Sequence, residues 1–235
     1  MKITVFGASG GTGKEFVRQA AEQGHAIKAF VRTPSKFPFQ DTPNITMMTG
    51  DALQFSSVAE AVKGSDAVVS CLGADGLGKT TLLSEMTGHI IRAMEQNGVK
   101  RLGYVASAGI HREIPGLRGK MANMVLRNVL DDHLRAAELM KESDLEWTIA
   151  RPMRLMDEPL TGTYRTSMDS VPKNGKKISR ADVAHFILSS IDNRTCIRES
   201  AGLAYLNGNV SHGTKKEAYH RTLLFRLFII FFTIG

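Results

Sequence analysis

The feature that most constrains this chain is Gly7-Ala8-Ser9-Gly10-Gly11-Thr12-Gly13, because it joins an apolar run that reads as a strand, Lys2 to Phe6, to a helical pattern from Thr12 to Gln23. In that context the three spaced glycines have separate uses. Gly7 permits the tight turn, Gly10 lets the backbone approach a pyrophosphate, and Gly13 lets the helix pack close to the strand. Ser9, Gly11 and Thr12 fill the same turn, and the helix N-terminus offers N–H groups and a positive dipole end to phosphates. A glycine triplet also serves plain strand-to-helix turns; here the next strand, Ala26 to Val31, arrives at the spacing of a dinucleotide-binding unit.

The rest of the chain keeps the alternation. Ile45 to Thr49, Ala67 to Leu72, Arg101 to Ala106 and Glu146 to Ala150 read as further strands, each nearly continuous in apolar residues, as a strand buried on both faces requires. Helical patterns cover Ser56 to Val62, Thr80 to Asn97, Met121 to Glu142 and Arg180 to Ile191, with Ser179 or Asp182 placed to open the last. The pattern predicts an α/β fold: a Rossmann-type doubly wound parallel sheet in one domain, residues 1–210. The Pro- and Gly-containing stretch from Arg151 to Lys177 is expected to be a substrate lid over the sheet.

Residues 211–235 form a basic, then apolar tail. Its apolar part, Leu223 to Ile234, is interrupted by Arg226 and shorter than the ~20 residues that span a bilayer. A docked or oligomer-burying helix is the favoured reading over membrane contact, which leaves a homo-oligomer open.

The ends of the strands specify the cofactor. Where an NAD-binding protein places an acidic residue after the second strand, this chain has Arg32, with Thr33, Ser35 and Lys36 behind it, suited to the 2′-phosphate of NADP(H). Asp51 and Ala52 are expected against the adenine, and Leu72 and Gly73 beside the pyrophosphate and ribose. A second pattern competes: Gly73 to Thr80 matches the phosphate loop GxxxxGK[ST] after a strand. It follows the fourth strand rather than the first, no magnesium-binding aspartate ends a later strand, and coincidence is the preferred reading over a nucleotide triphosphatase.

Composition removes other classes. The net charge of +7 comes from scattered basic residues without interleaved aromatics, which argues against nucleic acid. Cys71 and Cys196 form no CxxC pair, so neither a disulfide framework nor a metal site is expected. With Met1 to Phe6 already a strand, no signal segment precedes it, and the expected location is the cytoplasm.

The motifs Gly7 to Gly13, Val31-Arg32, Gly50-Asp51, Asp66-Ala-Val-Val, Ser107-Ala108, Asp131-Asp132-His133-Leu-Arg135, Trp147-Thr-Ile-Ala-Arg151-Pro152 and Pro159-Leu-Thr-Gly162 span residues 1–205 in order. Together they resemble the atypical short-chain dehydrogenases/reductases that are NmrA-like, especially the flavin reductase/biliverdin-IXβ reductase group. The resemblance implies a catalytic Ser after the fifth strand, here Ser107, and a YxxxK pair on the next helix. No YxxxK exists in the chain, a departure that the flavin/biliverdin reductase group shares. Where that group has a histidine after the sixth strand, this chain has Met153 and Arg154.

For proton transfer the candidates are His111, in the loop after Ser107, and His133, on the following helix; a surface loop histidine and a helix-surface charge cluster explain them as well. Arg151 can bind an anionic substrate or form an ion pair that fixes its loop. The expected activity is hydride transfer from NADPH to a small planar acceptor such as a flavin, quinone or tetrapyrrole-like molecule, with a catalytically silent NADP(H)-sensing regulator as the alternative.

Overall fold

A strand without a polar face must be covered on both sides. The computed structural model describes residues 1–206 apart from 75 and 169, and its central strands are covered in that way. β1 (Lys2–Phe6), β2 (Ala26–Val31), β3 (Ile45–Thr49), β4 (Ala67–Ser70), β5 (Arg101–Val105) and β6 (Glu146–Pro152) run parallel in the order β3-β2-β1-β4-β5-β6. Between and after them come α1 (Gly11–Glu22), α2 (Phe55–Val62), α3 (Leu82–Gln96), α4 (Gly116–Val125), α5 (Arg127–Glu142) and α6 (Arg180–Asp192). Alternation along each strand divides the apolar side chains between two cores. Ile3 and Val5 of β1 meet Phe16 and Val17 of α1 and Ile187 and Leu188 of α6. Phe6, Leu102 and Tyr104 meet Val58 of α2, Met94 of α3 and Met140 of α5 on the other face. The fold is therefore the expected Rossmann-type, doubly wound α/β sheet in a single domain.

Three departures from the sequence reading concern the later half. The single helix expected over Met121 to Glu142 is two, broken at Leu126, whose backbone (φ −97°, ψ 6°) leaves the helical range. The reason lies in the apolar pattern. α5 buries Leu130, Ala136, Ala137 and Met140, whereas Leu117, Met121, Met124 and Val125 of α4 are exposed, so the two segments do not share one buried face.

The second departure is that the stretch from 151 to 177 is not simply loop. It carries β7 (Arg154–Met156) and β8 (Arg165–Ser167) and leads into β9 (Lys177–Ser179), which pairs with β7 in a small parallel sheet. The third is a seventh parallel strand, β10 (Glu199–Ala204), which pairs with β6 and carries β8 antiparallel on its outer side. Its residues are mostly small, but pairing it with β6 covers an otherwise open edge of buried Ile149 and Ala150.

Ser179 does open α6, accepting the Asp182 amide at 2.9 Å. Asp182 itself is fully buried and collects the amides of Thr161 (3.1 Å) and Gly162 (2.8 Å) and the hydroxyls of Thr161, Ser179 and Tyr205. No helix among the described residues is long and apolar enough to cross a membrane. The expected domain end at 210 and the tail 211–235 lie outside the described residues.

Candidate functional site

The turn between β1 and α1 is built on contacts that only glycine tolerates. Gly7 has φ +71°, and a Cβ there would stand 2.6 Å from the Cys71 carbonyl oxygen. A Cβ on Gly13 would overlap the Gly7 carbonyl, so the absence of a side chain is what lets α1 start directly against β1. The Gly10 amide closes the turn on Gly7 O at 3.0 Å. No side chain caps α1, and its first turn has no acidic residue. Its first-turn N–H groups and the positive end of its dipole are thus directed to whatever lies beyond the strand.

What lies beyond is a cleft of about 2000 Å³ across the carboxyl ends of the parallel strands. Gly7, Ser9, Gly10, Gly11 and Thr12 form one wall, and Arg32, Thr33, Lys36, Asp51, Ala52, Leu72 and Gly73 continue it, so the structure brings these sequence-read residues into one cleft. Gly13 is not part of the lining; it acts beneath it. The Asp51 carboxylate accepts the Leu53 amide at 3.0 Å and shapes its own turn, while the Ala52 carbonyl is bonded to His89 Nδ1 at 3.1 Å.

The competing phosphate loop is decided by its helix. α3 starts at Leu82, past Lys79 and Thr80, and its N-terminus is closed by a carboxylate from α5. Asp132 accepts the Leu83 amide at 3.0 Å, the Ser84 amide at 3.1 Å and the Ser84 hydroxyl at 2.6 Å. Burial pushes this carboxyl up, but those hydrogen bonds and the nearby Arg135 outweigh it and hold it below its ordinary value. An anion cannot occupy donors that a carboxylate already holds. The aspartate of Asp132-His133 therefore serves the fold rather than the cleft.

At the far end of the cleft stand Ser107, after β5, and His133, on α5. Ser107 is half-buried, with its hydroxyl turned to Ala108 O at 3.2 Å. His133 is 5% exposed, and its Nδ1 lies 2.9 Å from the Tyr104 hydroxyl. Met153 and Arg154 line the same end, against Pro152 and Leu155.

Two candidates do not belong there. His111 is exposed outside the lining, its amide bonded to Glu113 Oε2 at 3.0 Å, because the loop leaves the cleft after Ala108 and rejoins it only at Glu113. Arg151 is 1% exposed: it pairs with Glu113, bonds Ser200 Oγ at 2.9 Å, and donates to the carbonyls of Met168, Ser170 and Ser200. The ion-pair reading of Arg151 replaces the substrate-binding one, since the guanidinium is buried among these partners and stands outside the cleft lining.

The sequence reading expected a lid from 151 to 177 but named no site residue of the cleft's outer wall beyond Met153 and Arg154. Ser170 to Lys177 and Arg180 line it, as do Glu113, Ile114 and Pro115 ahead of α4 and Leu126 at the helix break. Arg180 lies over Gly11, where a Cβ would meet its Cδ at 2.6 Å, and pairs with Asp157 at 2.6 Å. The run Lys173-Asn174-Gly175-Lys176-Lys177 was a legible signal, a basic turn facing an anion site.

This geometry fits a dinucleotide: an open helix N-terminus, a glycine cradle that a Cβ would fill, and a cation at the end of β2. Comparison with known proteins agrees. The family described as NAD(P)H-binding matches residues 7–194. An uncharacterised protein of Bacillus subtilis, YwnB, is 29% identical over 200 residues, covering 82% of this chain and 91% of that protein. A short-chain dehydrogenase/reductase of Veillonella parvula, solved in complex with NADP, superposes with a TM-score of 0.78 at 20% identity, over 91% of this chain and 98% of its own. ChuY of Escherichia coli O157:H7, titled an anaerobilin reductase, superposes with a TM-score of 0.75 at 21% identity, over 90% and 100%. The last two likenesses speak for the fold.

Proposed function

The chain belongs to the NAD(P)H-binding family, and from that premise we propose that it is an NADPH-dependent reductase whose acceptor is a small planar molecule of the flavin, quinone or tetrapyrrole-like kind. The observation that carries the reading is the cleft's asymmetry: an open helix N-terminus with Arg32 at one end, and Ser107 among apolar side chains at the other. Gly10, Gly11 and Thr12 would hold the pyrophosphate by their backbone, and Arg32 the 2′-phosphate, which favours NADP(H) over NAD(H). When bound, the dinucleotide supplies a hydride at its nicotinamide ring. Leu126, Leu130, Met153 and Val171 offer a planar acceptor flat apolar surfaces, and Arg154, Lys173 and Lys176 surround it with positive charge. Ser107 would orient the acceptor or the nicotinamide; placement matters more than acid strength, because hydride transfer depends on bringing two atoms face to face.

The neighbours support this reading to different depths. The Veillonella protein was solved with NADP and ChuY is titled a reductase, and both share this fold. The test is NADPH consumption by the purified protein with a panel of flavins and quinones, beside calorimetry of NADPH and NADP⁺. Turnover with one class of acceptor is expected. No turnover, together with a clear difference in affinity between the two cofactor forms, would instead make the protein a sensor of the NADP(H) ratio, the reading favoured by the lack of a Tyr–Lys pair on α5.

A further inference from the structure

His133 stands at the acceptor end of the cleft on α5, one turn beyond Leu130, almost wholly enclosed and yet part of the lining. Its ring meets that of Tyr104 edge-on, with centroids 5.8 Å apart at 78°. Tyr104 comes from β5 and is 1% exposed. The direction of the bond between them can be argued from chemistry. A phenol is a strong donor and a weak acceptor, and an imidazole nitrogen is the reverse. Among the described residues Nδ1, at 2.9 Å, is the acceptor well placed for the buried Tyr104 proton. Thr87, which also faces this hydroxyl, donates its own proton to Leu83 O at 2.7 Å, and its oxygen is a weaker acceptor than an imidazole nitrogen. The better acceptor takes the phenol proton, so Tyr104 donates to Nδ1 and the ring carries its proton on Nε2.

Nε2 has no described protein partner, and it is not among the buried polar atoms sealed in without one, which are on Gln19, Ser70, Arg101 and Trp147. It therefore opens on the cleft. Burial pushes the imidazole down to about 4, against the pull of Asp132, whose carboxylate is turned to the start of α3 and to Arg135. Glu113, the other carboxylate of this end, is paired with Arg151. The ring is neutral near pH 7 and presents one N–H.

Resting on the reductase reading, we propose that His133 is a catalytic residue: its Nε2–H donates a hydrogen bond to the acceptor atom that gains negative charge on reduction, and Tyr104 is the positioning residue that fixes this tautomer. The acceptor class follows. It carries a carbonyl oxygen or ring nitrogen conjugated to the position reduced. The acceptor takes up a hydride from the reduced dinucleotide, its displaced electron pair moves onto that oxygen or nitrogen, and a proton from water completes the product. His133 keeps its proton, because losing it would require an imidazolate or, by relay, a Tyr104 phenolate that burial disfavours. A neutral donor aimed at developing charge does the work that the missing Tyr–Lys pair does elsewhere.

The experiment has two arms on the full chain. Long-range ¹H–¹⁵N NMR of the imidazoles should show His133 as the neutral Nε2–H tautomer from pH 8 to 5.5, with mixed tautomers in Tyr104→Phe. In kinetics with the best acceptor of the panel, His133→Leu should lower kcat about 100-fold with NADPH affinity unchanged, and His133→Gln, which keeps an N–H donor, should recover to within about tenfold of the unaltered protein. A Nδ1–H tautomer or an imidazolium at pH 7 overturns the proposal, as does an unchanged kcat in His133→Leu. Absence of turnover by the unaltered protein with every acceptor removes the reductase reading and this role together; turnover with the wrong tautomer removes this role alone.

Discussion

Two strand-to-helix loops in this chain carry a phosphate-binding glycine pattern, residues 7–13 after β1 and residues 73–80 after β4, and both lie beside the same cleft. They differ in what stands at the start of the following helix. α1 has no capping side chain and no acidic residue in its first turn, whereas α3 receives the buried Asp132 carboxylate on two amides and a hydroxyl. A glycine pattern thus describes how close a backbone can approach an anion; whether the anion is a ligand or one of the protein's own side chains depends on a residue far away in sequence. In the first loop the place is left for a phosphate, and in the second it is filled from α5.

Substitutions can break or sharpen this contrast. The largest effect is expected from Gly13→Val, because its Cβ would strike the Gly7 carbonyl and force α1 off β1. A loss of about 3 kcal/mol or more in stability and no measurable NADPH binding should follow, seen by thermal unfolding and calorimetry.

Asp132→Asn comes next. Loss of charge-assisted bonds should lower stability by roughly 2 kcal/mol, or roughly 4–8 °C in Tm. Because the folded carboxyl sits below its unfolded value of about 3.9, its contribution is present above that pH and is lost as pH falls through the folded value. The gap between unaltered protein and variant should therefore hold from pH 7 to about 4 and close below it. Asp132→Ala sharpens the contrast further, since inorganic phosphate should then raise the Tm of the variant more than that of the unaltered protein.

Arg32→Asp should reverse the preference between NADP(H) and NAD(H), with about tenfold lost for NADP(H), or ~1.5 kcal/mol. Equal affinities for the two cofactors in the unaltered protein would remove Arg32 from the argument. The smallest effect belongs to Lys79→Ala, on an exposed side chain ahead of a helix start that is already occupied. NADPH affinity should change by less than about twofold; magnesium-dependent ATP hydrolysis that disappears in this variant would overturn the assignment of the two loops.

The same contrast explains what could be read from sequence. The first six strands, the glycine turn and Arg32 are local signals, each written in a run of neighbouring residues; the structure forms the strands and the turn there and sets Arg32 in the cleft lining. Features that depend on distant partners were not legible. β10 has no β-branched residue and is a strand because β6 offers it an edge. The break at Leu126 follows from which face of α4 finds a neighbour. Arg151 stands at the carboxyl end of the sixth strand in a position suited to a ligand, and only its carbonyl partners on Met168, Ser170 and Ser200 show that it is an anchor. His133 and His111 look alike in sequence, yet one is held by Tyr104 at the cleft and the other faces solvent. The basic turn at Lys173 to Lys177 could have been read, but its use depends on the fold bringing it into the same cleft lining as Gly11.

The buried carboxylate of Asp182 has a consequence for how the cleft's outer wall opens. The Thr161 and Gly162 amides belong to an exposed loop, yet their protons point at an aspartate in the first turn of α6, which also holds Ser179 and Tyr205. In amide hydrogen exchange these two surface protons should be protected to the depth of α6 rather than exchanging with the loop around them. The segment from 161 to 179 is then fastened at both ends to one carboxylate and at its middle to β10 through β8, so local unfolding that frees its ends must release both from Asp182 together.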